Sequence, residues 1–208
     1  MASNYGELKT EIADYLDRDD LTSKIPGFIE KAIQRINFEL DHRRFEVRST
    51  NTIDARRLGL PDDYLRARNI EIKTSPPRNL QFRTPASIDD LRRSQGDATG
   101  TPRYFTQHGN ELEFYPAATT ANSFEIEIIY RAELEQFVED TDTNWVLLKN
   151  SGLMLHACLI EAYLYLKDTK NAGTNQSIFL ESVAKMEELD KTGRYPASPR
   201  RVPRGVTP

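Results

Sequence analysis

Apolar positions near the start of the chain recur with the spacing of an α-helix. Asn4 followed three residues later by Glu7 matches a capping box, which satisfies free amides at the start of a helix. A second, longer helix is predicted after a turn at residues 18–20, and Pro26 fits its first turn. Apolar residues predicted on one face of the first helix are Leu8, Ile12, Tyr15 and Leu16. Those of the second keep i, i+3, i+4, i+7 spacing and are Ile25, Phe28, Ile29, Ala32, Ile33, Ile36 and Leu40.

In the middle of the chain the period changes, and polar and apolar residues alternate as they do in β-strands. A hairpin is predicted where Tyr104–Thr106 and Glu111–Tyr115 flank the turn residues 108–110. Thr84 followed by Pro85 predicts the start of a short helix, with the threonine as its cap. The segments with the clearest alternation are 45–50, 69–73 and 124–130.

Helical spacing returns towards the C-terminus. Trp145–Leu148 opens this part, and Ser151 is the expected cap of a helix that carries residues 153–167. That helix is apolar nearly all round, so we expect it to lie centrally in the core. A final helix is predicted from about Lys170 to Asp190, with Gly193 ending it. Its expected inner face consists of Ile178, Phe179, Val183, Met186 and Leu189.

The order of helices, strands and helices predicts an α+β fold. Helices from both ends would form an antiparallel bundle, with an antiparallel β-domain inserted between them. The last segment has four prolines and four arginines, and no acidic residue follows Asp190, so we expect an extended tail. The predicted boundaries are 1–44 for the N-terminal helices, 45–135 for the β-rich domain, 136–193 for the C-terminal helices and 194–208 for the basic tail.

Composition narrows the possible roles of this 208-residue chain. Charged residues make up 29%, and the net charge is -4, which argues against a protein whose main work is to bind nucleic acid. The single cysteine, Cys158, excludes an intramolecular disulfide. Because the first residues lack a secretory signal and no apolar run approaches ~18 residues, we expect a protein made in the cytoplasm, without a membrane partner.

No catalytic or metal-binding motif is recognisable in the sequence. Segment 140–144 resembles the start of a calcium loop, but Trp145 stands where glycine is required, so we interpret it as a polar cap of the following helix. We therefore predict a protein that is not an enzyme and binds no cofactor or metal. The histidines lie in different predicted elements: His42, His108 and His156. Adjacent carboxylates, which we interpret as caps and exposed faces, are Asp19-Asp20, Asp62-Asp63 and Asp89-Asp90.

Basic residues occur in two different settings. Three arginine doublets lie next to acidic residues, and we expect them to be solvated or to form ion pairs between subunits. The tail arginines have no such acids nearby in the sequence. They could bind nucleic acid, or they could lie across an acidic protein surface as an arm that becomes ordered on binding. The doublets are Arg43-Arg44, Arg56-Arg57 and Arg92-Arg93.

Four stretches in this order resemble the podovirus-type bacteriophage head-to-tail adaptor (connector) proteins. The resemblance extends from residue 4 to about residue 190. The stretches are 4–40, similar to that family's two N-terminal helices; 58–65, with the Leu60-Pro61 turn; 100–116, similar to its central hairpin; and 144–162, which begins with Asn144-Trp145 and is similar to its C-terminal helix pair.

The resemblance implies a structural virion protein at the head–tail junction, forming a homo-oligomeric ring, expected to be dodecameric, beneath the portal protein. Such a ring extends the channel for double-stranded DNA without sequence-specific binding and supports the next tail (nozzle) protein. A net negative charge suits a channel wall that must not hold DNA. The alternative is a nucleic-acid-binding accessory protein that uses the tail. Because the C-terminal segment of such adaptors commonly runs along the portal, the candidate portal-binding residues are Arg194, Tyr195, Arg200, Arg201 and Arg204.

Overall fold

The structure, a computed structural model, describes the backbone of residues 2–194. Within that range it contains six α-helices and eight β-strands. The helices are α1 Tyr5–Leu16, α2 Ile25–Glu39, α3 Pro85–Gln95, α4 Trp145–Lys149, α5 Ser151–Tyr165 and α6 Thr169–Arg194. The strands are β1 Glu46–Ile53, β2 Arg57–Gly59, β3 Tyr64–Ile72, β4 Arg78–Asn79, β5 Gln81–Phe82, β6 Tyr104–His108, β7 Glu111–Tyr115 and β8 Phe124–Ala132.

The fold is α+β, as the order of periodicities predicts. The chain divides into two compact units, which we call the helical unit and the strand unit. The helical unit takes in the chain up to Arg43 and again from Leu134, and the strand unit is Arg44–Glu133. All eight strands and α3 belong to the strand unit, and the other five described α-helices belong to the helical unit.

The first two helices form as their sequence predicts. The Asn4 side chain accepts a hydrogen bond from the Glu7 backbone N–H at 2.8 Å, which caps α1. Glu7 in turn accepts from the backbone N–H of Ser3, one residue earlier than in a standard capping box. Tyr15, predicted on the inner face of α1, is instead 56% exposed. In α2 and its C-cap, all seven residues of the predicted apolar stripe are buried, so that prediction is confirmed.

Helix α5 lies in the core of the helical unit, as predicted. Its cap is Asn150 and not Ser151, because the Asn150 side chain accepts from the Leu153 backbone N–H at 3.0 Å and Ser151 is already helical. The helix ends at Tyr165, and Lys167 adopts a positive φ of 60° beyond it. Its buried residues are Leu153, Met154, Leu155, Ala157, Cys158, Leu159, Ile160 and Ala162.

Helix α6 departs from prediction in its length and in its inner face. It continues through Gly193 to Arg194. Ile178 and Leu189, predicted to face inward, are exposed at 39% and 72%. The buried face of α6 therefore differs from the predicted one, and it includes two polar residues. Asn175 contacts the His156 ring, and Asp190 pairs with Arg43. The residues of this face include Ala172, Asn175, Phe179, Val183 and Asp190.

The strand unit contains two four-stranded sheets. One has the order β1-β8-β3-β4 and the other the order β2-β7-β6-β5. The predicted hairpin is present as β6 and β7. The expectation of a wholly antiparallel domain is wrong at one place, since β5 and β6 pair in parallel. The chain between them contains α3, and parallel neighbours require a long connection of this kind. The large, fully buried residues of this core include Ile53, Ile70, Ile72 and Phe114.

Candidate interaction surfaces

The predicted portal-binding tail begins where the described structure ends. Arg194 is the last residue of α6. The rest of the predicted set (Tyr195, Arg200, Arg201 and Arg204) lies outside the described residues, so their role stays a prediction. The structure therefore describes the helix from which the tail begins and the residues that hold this helix.

The last turns of α6 are held by the segment that follows α2. Asp190 is only 3% exposed, and its carboxylate lies 3.0 Å from Arg43 Nε and 3.8 Å from His42 Nε2. One turn earlier, the Glu187 carboxylate accepts from the Asp41 backbone N–H at 3.1 Å. The His42 ring also packs against Trp145, the first residue of α4, with ring centroids 5.1 Å apart. The final turns of the helix that leads into the tail are thus held by an ion pair and a hydrogen bond from the segment after α2.

Five of the six arginines in the doublets form ion pairs within the chain, and most of these side chains also remain largely solvated, as one of the two expectations has it. Arg43 pairs with buried Asp190, Arg56 Nη2 lies 2.8 Å from Asp97, and Arg57 Nη1 lies 3.7 Å from Glu111. Arg92 pairs with Glu113, and Arg93 pairs with Asp90 at 3.3 Å. Each of these five arginines thus has an acidic partner within its own chain.

Glu113 is the buried carboxylate of the largest of these ion-pair groups, in which Arg92 also pairs with Asp89 and Asp97. It is 3% exposed, contacts Arg92 of α3, and lies 3.3 Å from His108 Nε2. The Tyr115 hydroxyl donates to the Gly96 carbonyl at 3.1 Å, just beyond the end of α3. Both contacts fasten α3 to the β6–β7 hairpin, so the cluster has a structural role.

Three side chains of the types that could act in catalysis or bind a metal, a histidine, a cysteine and a tyrosine, are buried or hydrogen-bonded in the fold. Among the residues that the structure describes, no three or more His, Cys, Asp and Glu side chains gather as a metal site would require. The His156 ring contacts the Asn175 side chain at 2.8 Å. Burial raises the pKa of the Cys158 thiol far above its usual range, so this thiol stays protonated. Burial, followed by a hydrogen bond to Asp63, raises the pKa of Tyr130 to about 12.

The segment that resembles a calcium loop is a polar turn, as we interpreted it. The Asp142 carboxylate accepts from the backbone N–H groups of Val138 and Glu139 at 2.7 and 2.8 Å. These bonds hold the pKa of Asp142 below its usual value. The Asn144 side chain accepts from the Leu147 N–H at 2.9 Å and caps α4. The side-chain oxygens of Asp142 and Asn144 thus accept hydrogen bonds from backbone N–H groups of the turn and of α4.

The helical unit exposes both acidic and apolar surface. A cleft of about 780 Å³ beside α1 is lined by Glu7, Glu11 and Asp14. Phe38 at the end of α2 is 89% exposed, and Val138 is 84% exposed. Single exposed apolar side chains are common on protein surfaces, and only a contiguous apolar patch is typical of a binding surface. No helix within residues 2–194 is long and apolar enough to cross a membrane.

Comparison with known proteins places the chain in a family. The family model for the SU10 adaptor protein matches residues 3–203. The match covers both units and includes Tyr195, Arg200 and Arg201 of the predicted tail. No curated protein matches the chain closely enough to serve as a relative. Because the match spans nearly the whole chain and agrees with the resemblance seen in the sequence, the chain belongs to the SU10 adaptor protein family of phage head-to-tail adaptors.

Proposed function

We propose that this adaptor is a structural subunit of a dodecameric ring that lies beneath the portal, extends the DNA channel and carries the next tail protein. The observation that supports this proposal is the family match over residues 3–203. The chain would form an antiparallel helical bundle with the strand unit as an inserted domain, and it would act without catalysis.

Ring formation makes a specific demand on the subunit. Each copy needs two different surfaces that are complementary to each other, since a head-to-tail contact closes only by repeating the same rotation. The exposed apolar residues of the helical unit, Phe38 and Val138, and its acidic cleft are available for contacts of this kind. A net charge of -4 also suits a wall along which DNA must move freely.

The basic tail is the proposed contact with the portal. Ordering an extended segment costs roughly 1–2 kcal/mol of backbone entropy per residue, so its partner must offer several charge-assisted contacts. Four arginines at positions 194, 200, 201 and 204 can make such contacts with an acidic surface. The ion pair of Asp190 with Arg43 supports this role, because it fixes the end of α6 that leads into the tail.

Truncation after Gly193 tests the proposal. We expect the truncated chain to melt like the full chain but to bind the portal more weakly. Changing the four tail arginines to alanine should weaken portal binding nearly as much as the truncation does. Raised salt should also weaken binding, because salt screens the attraction between the arginines and an acidic surface. The matched control changes Arg93, exposed and paired only locally with Asp90, to alanine.

Two results would contradict this assignment. A truncated chain that binds the portal as well as the full chain removes the tail from the interface. A strong, salt-sensitive affinity of the full chain for duplex DNA, together with no affinity for the portal, would favour the nucleic-acid-binding alternative.

A further inference from the structure

The strand unit contains a cleft that is lined by arginine and tyrosine and, within the described residues, by no acidic side chain. It has a volume of about 390 Å³ and lies where β4 and β5 meet the start of β6. Arg78 of β4 and Arg103, which precedes β6, both line it, and so does Tyr104. The Arg83 guanidinium lies over the Tyr104 ring, 5.0 Å from its centroid. We call this surface, defined by Arg78, Arg83, Arg103 and Tyr104, the arginine cleft.

The arginines of this cleft differ from those of the doublets. Each of the five doublet arginines described above has an acidic partner, and Arg68 of the same unit pairs with Glu46 at 3.1 Å. Arg78, Arg83 and Arg103 are all exposed, and no carboxylate within residues 2–194 forms an ion pair with any of them. In a chain with a net charge of -4, three neighbouring arginines without acidic partners indicate a surface that binds an acidic molecule.

An exposed aromatic ring lies beside the arginine cleft. Phe82 of β5 is 59% exposed and lines a neighbouring groove of about 410 Å³, which shares Leu80 with the arginine cleft. A single exposed ring is common on a protein surface. Protein interfaces, however, are enriched in both arginine and aromatic residues, whereas the phosphate backbone of DNA attracts basic side chains through charge. The combination therefore favours an acidic protein surface over DNA as the partner.

The helical unit of the same chain carries a surface of opposite charge. The acidic cleft beside α1 is lined by four carboxylates. One of them, Asp140, pairs with Lys9 at 2.5 Å, and Val138, two residues before it, is 84% exposed. The acidic cleft thus has unbalanced negative charge close to an exposed apolar side chain, as the arginine cleft has unbalanced positive charge close to Phe82. The carboxylates that have no lysine or arginine partner within residues 2–194 are Glu7, Glu11 and Asp14.

We propose that the arginine cleft of one copy of the chain binds the acidic cleft of the next copy. This inference rests on the proposed ring, because a head-to-tail contact requires two different surfaces on each subunit that are complementary to each other. The strand unit would supply the basic surface and the helical unit the acidic one. Opposite charges orient the two copies as they meet, and Phe82 and Val138 can be buried within the same contact. The contact leaves the basic tail available for the portal.

Charge reversal on each surface tests the contact. The arginine-cleft variant carries Arg78→Glu and Arg103→Glu, and the acidic-cleft variant carries Asp14→Lys and Asp140→Lys. All four positions are exposed, and circular dichroism and melting establish that the full-length variants fold. If a double variant melts below the unmodified chain, the single changes Arg103→Glu and Asp14→Lys replace it. The matched controls reverse charges of exposed ion pairs outside both clefts: Arg93→Glu with Lys185→Glu, and Asp90→Lys with Glu181→Lys.

Sedimentation velocity over a concentration series measures association between copies. Each reversal variant alone should associate at least about tenfold more weakly than the unmodified chain and the controls, because like charges then face each other at every contact. An equal mixture of the two variants should associate nearly as well as the unmodified chain, because alternating copies place opposite charges at every contact. A ring with an even number of copies allows that alternation.

Portal protein supplies a second measurement on the same variants. The unmodified chain should bind the portal cooperatively, because each bound copy offers a contact to the next one, and each reversal variant should bind without cooperativity. Truncation after Gly193 should weaken portal binding and leave association between free copies unchanged. The two measurements therefore separate the contact between copies from the contact of the tail with the portal.

Three outcomes would overturn the inference directly. Reversal variants that associate as the unmodified chain does leave the ring in place but exclude this contact. Variants that still fail to associate when they are mixed show that the two clefts do not bind each other. An unmodified chain that neither associates in solution nor binds the portal cooperatively has no such contact between copies. If free copies show the expected pattern but the portal binds none of them, the contact stands and the adaptor proposal fails.

Two other occupants of the clefts would each give a distinct result and would also overturn the inference. Weaker binding of duplex DNA by the arginine-cleft variant, with association between copies unchanged, would assign the arginine cleft to nucleic acid. Loss of association on truncation after Gly193 would assign the acidic cleft to the basic tail.

Discussion

At the residue scale, Asp190 shows how a polar residue can determine which face of a helix is buried. The carboxylate is almost fully buried, and Arg43 and His42 approach it from the segment after α2. Periodicity alone selects the apolar residues of α6 and therefore assigns Ile178 and Leu189 to the core. The sequence could not have identified Asp190 as buried, since its partners lie almost 150 positions away. The spacing of apolar residues within one helix carries no information about ion pairs with residues so distant in the sequence.

Replacing Asp190 with asparagine should destabilise the chain by about 1–2 kcal/mol, because the guanidinium of Arg43 loses its buried partner while staying half in water. Chemical denaturation measures the difference. Glu181→Gln is the matched control on the same helix, where the exposed pair with Lys185 is screened by solvent and should contribute much less to stability. Equal effects at the two sites would show that the Asp190 contacts do not stabilise α6.

Tyr130 gives a prediction about pH. Its folded-state pKa of about 12 exceeds the ordinary value of 10.0, so the folded chain holds the phenol proton more tightly than the unfolded chain does. The resulting stability is fully present below pH 10 and is lost as the pH rises towards 12. Tyr130→Phe removes this titration. Stability of the unmodified chain should fall more steeply over that window than stability of the variant, and parallel curves would contradict the assignment.

At the element scale, helices and strands with a regular apolar period were predicted correctly, whereas one cap and the very short strands were not. The α2 stripe, the β6–β7 hairpin and β8 all appear where their periods indicate. The cap of α5 was misplaced by one residue because two adjacent polar residues, Asn150 and Ser151, both suit a cap. The parallel pairing of β5 and β6 was not predictable, since strands of two residues carry no period.

Helix α2 provides a controlled test of the buried stripe. Ile33 is 1% exposed and Phe38, on the same helix, is 89% exposed. Ile33→Asp should destabilise the fold by several kcal/mol, because an unpaired charge replaces a core side chain. Phe38→Asp should leave thermal melting nearly unchanged. If both variants melt alike, the stripe does not carry the packing of the helical unit.

At the scale of the whole molecule, function followed from the order of motifs and from no single site. Each stretch that resembles an adaptor is weak alone, but the family match from residue 3 to residue 203 joins them. The position of β1 at the edge of its sheet was hidden from the sequence, because an edge strand and a central strand can carry the same alternation. Only the pairing of all eight described strands shows which of them lacks a neighbour.

The most direct test of the adaptor assignment is electron microscopy of the chain mixed with the portal protein of the same phage. We predict added ring-shaped density, with the twelvefold symmetry proposed above, on one face of the portal and coaxial with its channel. Portal particles that remain unchanged at saturating concentrations of the folded full-length chain would contradict the account.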